Sequence, residues 1–240
     1  MDQWTFQPAS DLDESVTRRL GSVRREPGLF GWAVHALTAS AAAGYMRLYH
    51  RLTVRGSEHL PDDPPAIIVA NHTSHLDAAA ITAALPRCLR REAFSLAADD
   101  YFFRTTFRSA CAAIAINALP MRRGKAVRQA LADLRRRMEN GHCLLIVFPE
   151  GTRSRTGTLA EFKCGVGMLV AGLSVPIVPA WIDGAHRALP PGKRCPRPAK
   201  LEVRFGPTLD FAETPNKRDG WQHVADRCFD AVHQLSDAVN

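Results

Sequence analysis

The chain predicts an α/β fold: a mainly parallel sheet flanked by helices, preceded by an N-terminal helical segment. Three observations carry this. Apolar runs of strand length, Ala66–Ala70 and Cys143–Phe148 above all, recur between segments with helical spacing. These runs are apolar throughout rather than alternating, as in strands covered on both faces. Breaker residues fall where elements should end, at Pro61, Pro64, Pro65, Pro86 and Gly141.

Residues 1–27 are polar and interrupted by Pro8 and Pro27, a loose or partly helical lead-in. Residues 28–52 read as an apolar helix. The breaker cluster from Pro61 to Pro65 places a boundary nearby, dividing the chain into residues 1–55, a helical and membrane-apposed segment, and residues 56–240, a catalytic domain. Ala66–Ala70 is the first strand of that domain. Asp77–Leu85 is a helix stopped by Pro86, and Phe94–Ala98 a second strand. Tyr101–Ala113 reads as helix and Ile114–Leu119 as a third strand. Lys125–Asn140 is the clearest helix, since Val127, Leu131, Leu134 and Met138 fall on one face and Gly141 follows. Cys143–Phe148 is a buried strand. Val175–Ile182 is another, its Pro176 and Pro179 tolerated only near an edge or bulge. Leu201, Val203 and Phe205 alternate as in a half-buried strand. Trp221, Val224, Cys228, Val232 and Leu235 line the inner face of a last helix. Strands alternating with helices imply a parallel sheet, whose sites gather at the carboxyl ends of its strands.

With 240 residues and 46% hydrophobic content, the chain suits one domain with a full core. A formal net charge of +7 favours an anionic partner: nucleic acid, an acidic membrane surface or a phosphorylated substrate. Aromatic residues are not interleaved with the basic clusters, which argues against stacking on single-stranded nucleic acid. Six scattered cysteines without a C-x-x-C pair read as reduced thiols. No signal-peptide pattern opens the sequence. Leu29–Met46 is the one membrane candidate, and it is marginal against the ~20 strongly apolar residues that a span requires. Arg47 and Arg51 follow it, as in a helix lying on a membrane with basic residues toward the headgroups. A helix packed on the domain's own core is the other reading.

Two stretches carry chemistry. Asn71-His72-Thr73-Ser74-His75-Leu76-Asp77 follows the first strand, and Phe148-Pro149-Glu150-Gly151-Thr152-Arg153-Ser154 follows a later one. Histidine suits base catalysis near neutral pH, and a carboxylate on its far nitrogen would fix the tautomer. Five residues of regular helix turn through about 500°, so His72 and Asp77 cannot share a helix face. A turn must intervene, with His72 before the helix and Asp77 in its first turn. Thr73 and Ser74 are expected to cap that helix. In the second stretch Gly151 allows close backbone approach and Arg153 offers a fork for phosphate. Glu150 could bind a substrate hydroxyl or pair with Arg153. A metal site from His72, His75 and Asp77 has no supporting ligand pattern.

Four blocks, His72-x-x-x-x-Asp77, Ala118–Arg123, Phe148–Ser154 and Val175–Ala180, resemble in order and spacing those of the glycerolipid acyltransferases of the lysophosphatidic acid acyltransferase type. The resemblance runs from about residue 65 to 207. It implies transfer of a fatty acyl group from acyl-CoA or acyl-carrier protein to the free hydroxyl of lysophosphatidic acid, giving phosphatidic acid, with His72 as general base and Asp77 its orienting partner. It implies Glu150, Gly151, Thr152 and Arg153 at the acceptor, together with Arg122, which Pro120 favours over Arg123 as the family's arginine. Phe162-Lys163-Cys164-Gly165 continues the likeness and sets Lys163 near a substrate phosphate. Val175–Ala180 offers no reacting group and is expected to support the sheet and an acyl channel. No metal or redox cofactor is implied.

The sequence departs from the family at Ala97-Ala98-Asp99-Asp100, where many relatives carry a lysine. Another acceptor, such as a lyso-ornithine lipid, a glycolipid or a specialised metabolite, therefore stays open, as does a non-enzymatic basic membrane-binding protein. The expected partners are a lysophospholipid, an acyl thioester and an anionic membrane touched peripherally, with no nucleic acid. The expected location is cytoplasmic, at the inner face of the cell membrane.

Overall fold

The computed structural model of the protein describes residues 29–98, 118–121, 127–139, 143–193 and 195–237. In chain order the elements are α1 (Leu29–Leu48), β1 (Thr53–Arg55), β2 (Ala66–Ala70), α2 (Asp77–Ala84), α3 (Arg87–Arg91), β3 (Ala93–Ala98), β4 (Ala118–Met121), α4 (Val127–Glu139), β5 (Leu144–Val147), α5 (Gly165–Val170), β6 (Ile177–Asp183), α6 (Ala185–Ala188), β7 (Glu202–Phe205) and α7 (Arg218–Asp237). The strands form one seven-stranded sheet in the order β1-β7-β6-β2-β5-β3-β4. Every neighbouring pair is parallel except β6 and β7.

The sheet is covered on both faces, which explains the unbroken apolar runs. Ile67 and Val69 of β2 and Leu145 and Val147 of β5 join one core with Leu131, Leu134 and Met138 of α4, Val166 and Leu169 of α5, and Val224, Cys228 and Val232 of α7. Ala66, Ile68 and Ala70 join the opposite core with Leu144, Ile146, Val178 and Ala180, under Ala43 and Met46 of α1 and Ala80 and Ile81 of α2. Alternate residues thus serve opposite faces. Each fully buried Ile or Leu contributes about 1.5–3 kcal/mol.

Most expected elements appear at or within a few residues of their expected bounds. Tyr101–Ala113, the lead-in before residue 29 and Ile114–Asn117 lie outside the described residues. Pro179 sits at a bulge, as expected, although its strand is interior, between β2 and β7. Its carbonyl accepts from Gly206 N at 2.8 Å, just past the end of β7. Between the Ile177–Leu209 bridge and the Ala180–Phe205 pair the partner segment carries an extra residue, and there the missing proline donor is tolerated. One expectation needs correction: β7 is not half-buried, since all four of its residues are buried. Its polar side is closed by ion pairing of Arg204 Nε with Glu202 Oε1 at 2.6 Å and by an Arg204 bond to the Leu235 carbonyl of α7.

α1 is a helix from Leu29 to Leu48, and Ala39, Ala43 and Met46 are buried against the domain. Leu37, Tyr45 and Leu48 are exposed. Among the described residues no helix is long and apolar enough to cross a membrane. α2 is fixed at its far end by Arg90. This buried guanidinium donates to the carbonyls of Thr82, Ala83 and Leu85, acceptors that a helix end otherwise leaves unpaired.

Candidate active site

The site lies past the carboxyl ends of β2 and β5, which run parallel and adjacent. The chain leaves β2 at Ala70, turns through Asn71–Leu76 and enters α2 at Asp77. His72 therefore precedes the helix and Asp77 opens it, as the five-residue spacing demands. A carboxylate in the first turn also suits the positive end of the helix.

His72 Nδ1 lies 2.9 Å from Asp77 Oδ2. That same oxygen accepts the backbone N–H groups of Thr73 at 2.6 Å and Ser74 at 2.7 Å. Asp77 is fully buried, so three donors converge on one oxygen shielded from water. The His72 side chain is 22% exposed. Its ring stacks on Phe148, with centroids 4.3 Å apart and planes 19° from parallel. With Nδ1 committed to Asp77, Nε2 is the nitrogen left for an incoming proton.

Thr73 and Ser74 do not cap α2 through their side chains. The residue before the helix is Leu76, and no side chain bonds the helix start from it. Ser74 Oγ instead donates to the Leu189 carbonyl at 2.8 Å and accepts from Leu76 N at 3.1 Å.

The segment after β5 turns at once, with Gly151 N donating to the Phe148 carbonyl at 3.1 Å. Gly151 has φ of +70°, and a Cβ there would lie 2.8 Å from Lys163 Nζ. Glycine is thus required by the backbone, and it lets the ammonium of Lys163 approach the turn. Thr152 and Lys163 are exposed and Arg153 is half-buried. The structure brings Gly151 and Lys163 together on the loop beside His72. Arg122 lies outside the described residues.

Glu150 has a different setting from an acceptor-facing carboxylate. It is 3% exposed. One oxygen accepts His72 N at 2.6 Å, and the other accepts Ala160 N at 3.2 Å. Burial pushes its carboxyl above the ordinary range, and the two backbone donors work against that shift. Ser154 N donates to the His72 carbonyl at 2.8 Å. Both main-chain groups of His72 are therefore held by the segment after β5.

His75 is half-buried, and burial pushes its imidazole down to about 4, with the neighbouring Arg153 and His72 adding to the effect. It is a neutral imidazole at ordinary pH. Sequence reasoning passed over two positioning contacts. Asn71 bonds both main-chain groups of Ile182, and the Phe148 ring supports His72. The signal for both was their place as the first residue of each stretch. Among the described residues no group of three or more His, Cys, Asp or Glu side chains is arranged to hold a metal ion.

The family model described as Acyltransferase matches residues 51–183. The chain is similar to the 1-acyl-sn-glycerol-3-phosphate acyltransferase of Cocos nucifera, 27% identical over 171 residues, 71% of this chain and 51% of that protein. It is similar to the 1-acyl-sn-glycerol-3-phosphate acyltransferase alpha of Homo sapiens, 29% identical over 130 residues, 54% of this chain and 44% of that protein. The chain spans about half the length of the curated relatives it matches. Its fold is that of the crystal structure of the 1-acyl-sn-glycerophosphate (LPA) acyltransferase, PlsC, from Thermotoga maritima, with a TM-score of 0.62 at 22% identity, covering 85% of this chain and 79% of that one.

Proposed function

The chain belongs to the Acyltransferase family, and on that premise we propose that it moves a fatty acyl group from an acyl-CoA or acyl-carrier thioester to the free hydroxyl of 1-acyl-sn-glycerol 3-phosphate, giving phosphatidic acid. The observation that carries this reading is the His72–Asp77 contact at 2.9 Å, made beside a cationic, glycine-containing turn. An alcohol is a poor nucleophile until its proton is taken. In the proposed step, His72 Nε2 takes the hydroxyl proton as the oxygen attacks the thioester carbonyl. The resulting imidazolium is stabilised through Nδ1 by Asp77. The tetrahedral adduct then collapses, the C–S bond breaks, and the thiolate takes the proton back from His72. An ester and a free thiol result, with no net proton change and no serine or cysteine nucleophile.

Arg153, Thr152 and the Gly151 backbone receive the acceptor phosphate in this reading, with Lys163 adding a point charge from the far side of the turn and Arg122 a further cation. Glu150 serves by holding His72 N rather than by touching the acceptor, because both its oxygens already receive backbone donors. The reaction needs no metal or redox cofactor in this reading. The exposed Leu37, Tyr45 and Leu48 of α1, with Arg47 and Arg51 beside them, form the surface through which the enzyme would touch an anionic membrane carrying its acceptor.

The test is thiol release from a long-chain acyl-CoA with and without lysophosphatidic acid, for wild type and His72→Ala. Acceptor-dependent release that yields phosphatidic acid and falls by about 10³-fold or more in His72→Ala is expected. Retained transfer in a purified, folded His72→Ala protein sinks the assignment of the base. Release that ignores the acceptor would mean hydrolysis of the thioester by water.

A further inference from the structure

The His72 turn is anchored from a second side. β2 and β6 pair in register as far as Ala70 and Ala180. Beyond that point the β2 chain must leave the sheet, because His72 N and O are taken by Glu150 and Ser154 on the β5 side. The next rung of β6, Ile182, would then face no main-chain partner on the β2 side. Asn71 fills that place with its side chain. Its Nδ2 donates to the Ile182 carbonyl at 3.1 Å, and its Oδ1 accepts Ile182 N at 2.8 Å. An amide side chain thus completes the ladder that the turning backbone abandons. Three residues on, Ser74 Oγ donates to the carbonyl of Leu189, just past α6. Asn71 is 1% exposed and Ser74 fully buried, so these bonds form away from water.

We propose that Asn71 and Ser74 are positioning residues for acyl transfer, mooring the His72–Asp77 turn to the β6–α6 segment so that the imidazole keeps its place over the acceptor. This rests on the acyl-transfer reading above. Neither side chain has to touch substrate. Glu150 and Ser154 pull the turn toward β5; Asn71 and Ser74 hold it toward β6. The ring sits between the two holds. Loss of one hold lets the turn drift toward the other, and a base misplaced by about 1 Å can cost on the order of 100-fold in rate. The acceptor's phosphate contacts lie on the β5 side and are left in place, so the loss should fall on turnover rather than on binding.

The experiment compares Asn71→Ala and Ser74→Ala with wild type and with Met138→Ala, a core substitution on the other face of the sheet. For each, kcat, KM for lysophosphatidic acid, the pH profile of kcat and the thermal midpoint are measured, together with the titration of the His72 ring by NMR of histidine-labelled protein. The expected result is a kcat lower by about 10- to 100-fold in Asn71→Ala and by a smaller factor in Ser74→Ala, with KM within about threefold. The midpoint of the pH profile and that of the His72 resonance should move together. Met138→Ala should lower the thermal midpoint and leave kcat and the His72 titration unchanged. Wild-type kcat in folded Asn71→Ala and Ser74→Ala overturns the proposal. If Asn71→Ala does not fold, Ser74→Ala, which removes one oxygen, decides alone. If wild type transfers no acyl group, the reading of the reaction fails by itself. The mooring is then judged on the resonance, and an unmoved His72 titration in both variants overturns it.

Discussion

One buried oxygen organises the chemistry at the residue scale. Asp77 Oδ2 receives the His72 ring and two backbone amides, so the orientation of the imidazole is set by groups that cannot easily move. His75, three residues from His72, is pushed down to about 4, first by burial and then by Arg153 and His72. An unfolded histidine takes its proton near 6.5. As acid is added, the unfolded chain therefore binds this proton before the folded one does. Stability from this group is complete above about pH 6.5 and drains as pH falls toward 4. Denaturant titrations of wild type and His75→Gln should show the variant losing less stability over that interval, by roughly 1–2 kcal/mol after allowance for solvent screening. Equal losses would remove His75 from the acid response. The His72–Asp77 pairing was legible in the sequence because a five-residue gap admits one simple geometry. The setting of Glu150 was not. A carboxylate beside Gly-Thr-Arg reads as substrate-facing until the fold brings His72 N within 2.6 Å of it.

At the scale of elements, the turn after β5 depends on its glycine. Gly151 has φ of +70°, and a methyl there would press on Lys163 Nζ at 2.8 Å. Gly151→Ala should keep the circular dichroism of wild type, because the lysine end can swing away, while left-handed backbone costs the alanine about 1–2 kcal/mol. KM for lysophosphatidic acid should rise by roughly tenfold with kcat less affected, as for lost uniform binding. An unchanged KM would place the phosphate elsewhere. Long elements were the readable ones: α7, with Val224, Cys228 and Val232 on its buried side, follows helical spacing. β1, α3, α5 and α6 were missed. They run from three to six residues, too short for any period to show, and tertiary contacts define them. The correction at β7 shares that cause: its buried charges obey local rules only once the neighbouring strand and α7 are in place.

The whole molecule carries a net charge of +7 and an α1 that is buried on one side and exposes Leu37, Tyr45 and Leu48. If that surface meets an anionic membrane, binding to phosphatidylglycerol-containing vesicles should weaken severalfold as salt rises from about 50 mM to about 500 mM, while vesicles of phosphatidylcholine alone bind little. Salt-independent binding would point to insertion driven by apolar contact alone. The α/β class was legible because a sheet with two covered faces prints itself as continuous apolar runs. The reversal at β7 was not, since an antiparallel step leaves no mark in composition. The segment after β5 has one more property. Lys163 N returns to bond the carbonyl of Pro149 at 3.0 Å, so the excursion between them begins and ends at nearly the same point. Such an excursion is a cassette. Its tip, from Arg155 to Leu159, can be lengthened, shortened or grafted from another chain at little entropic cost, with the sheet and the His72 turn left as they are. Evolution or an engineer could rewrite a handful of residues there without rebuilding the sheet that carries the His72 turn.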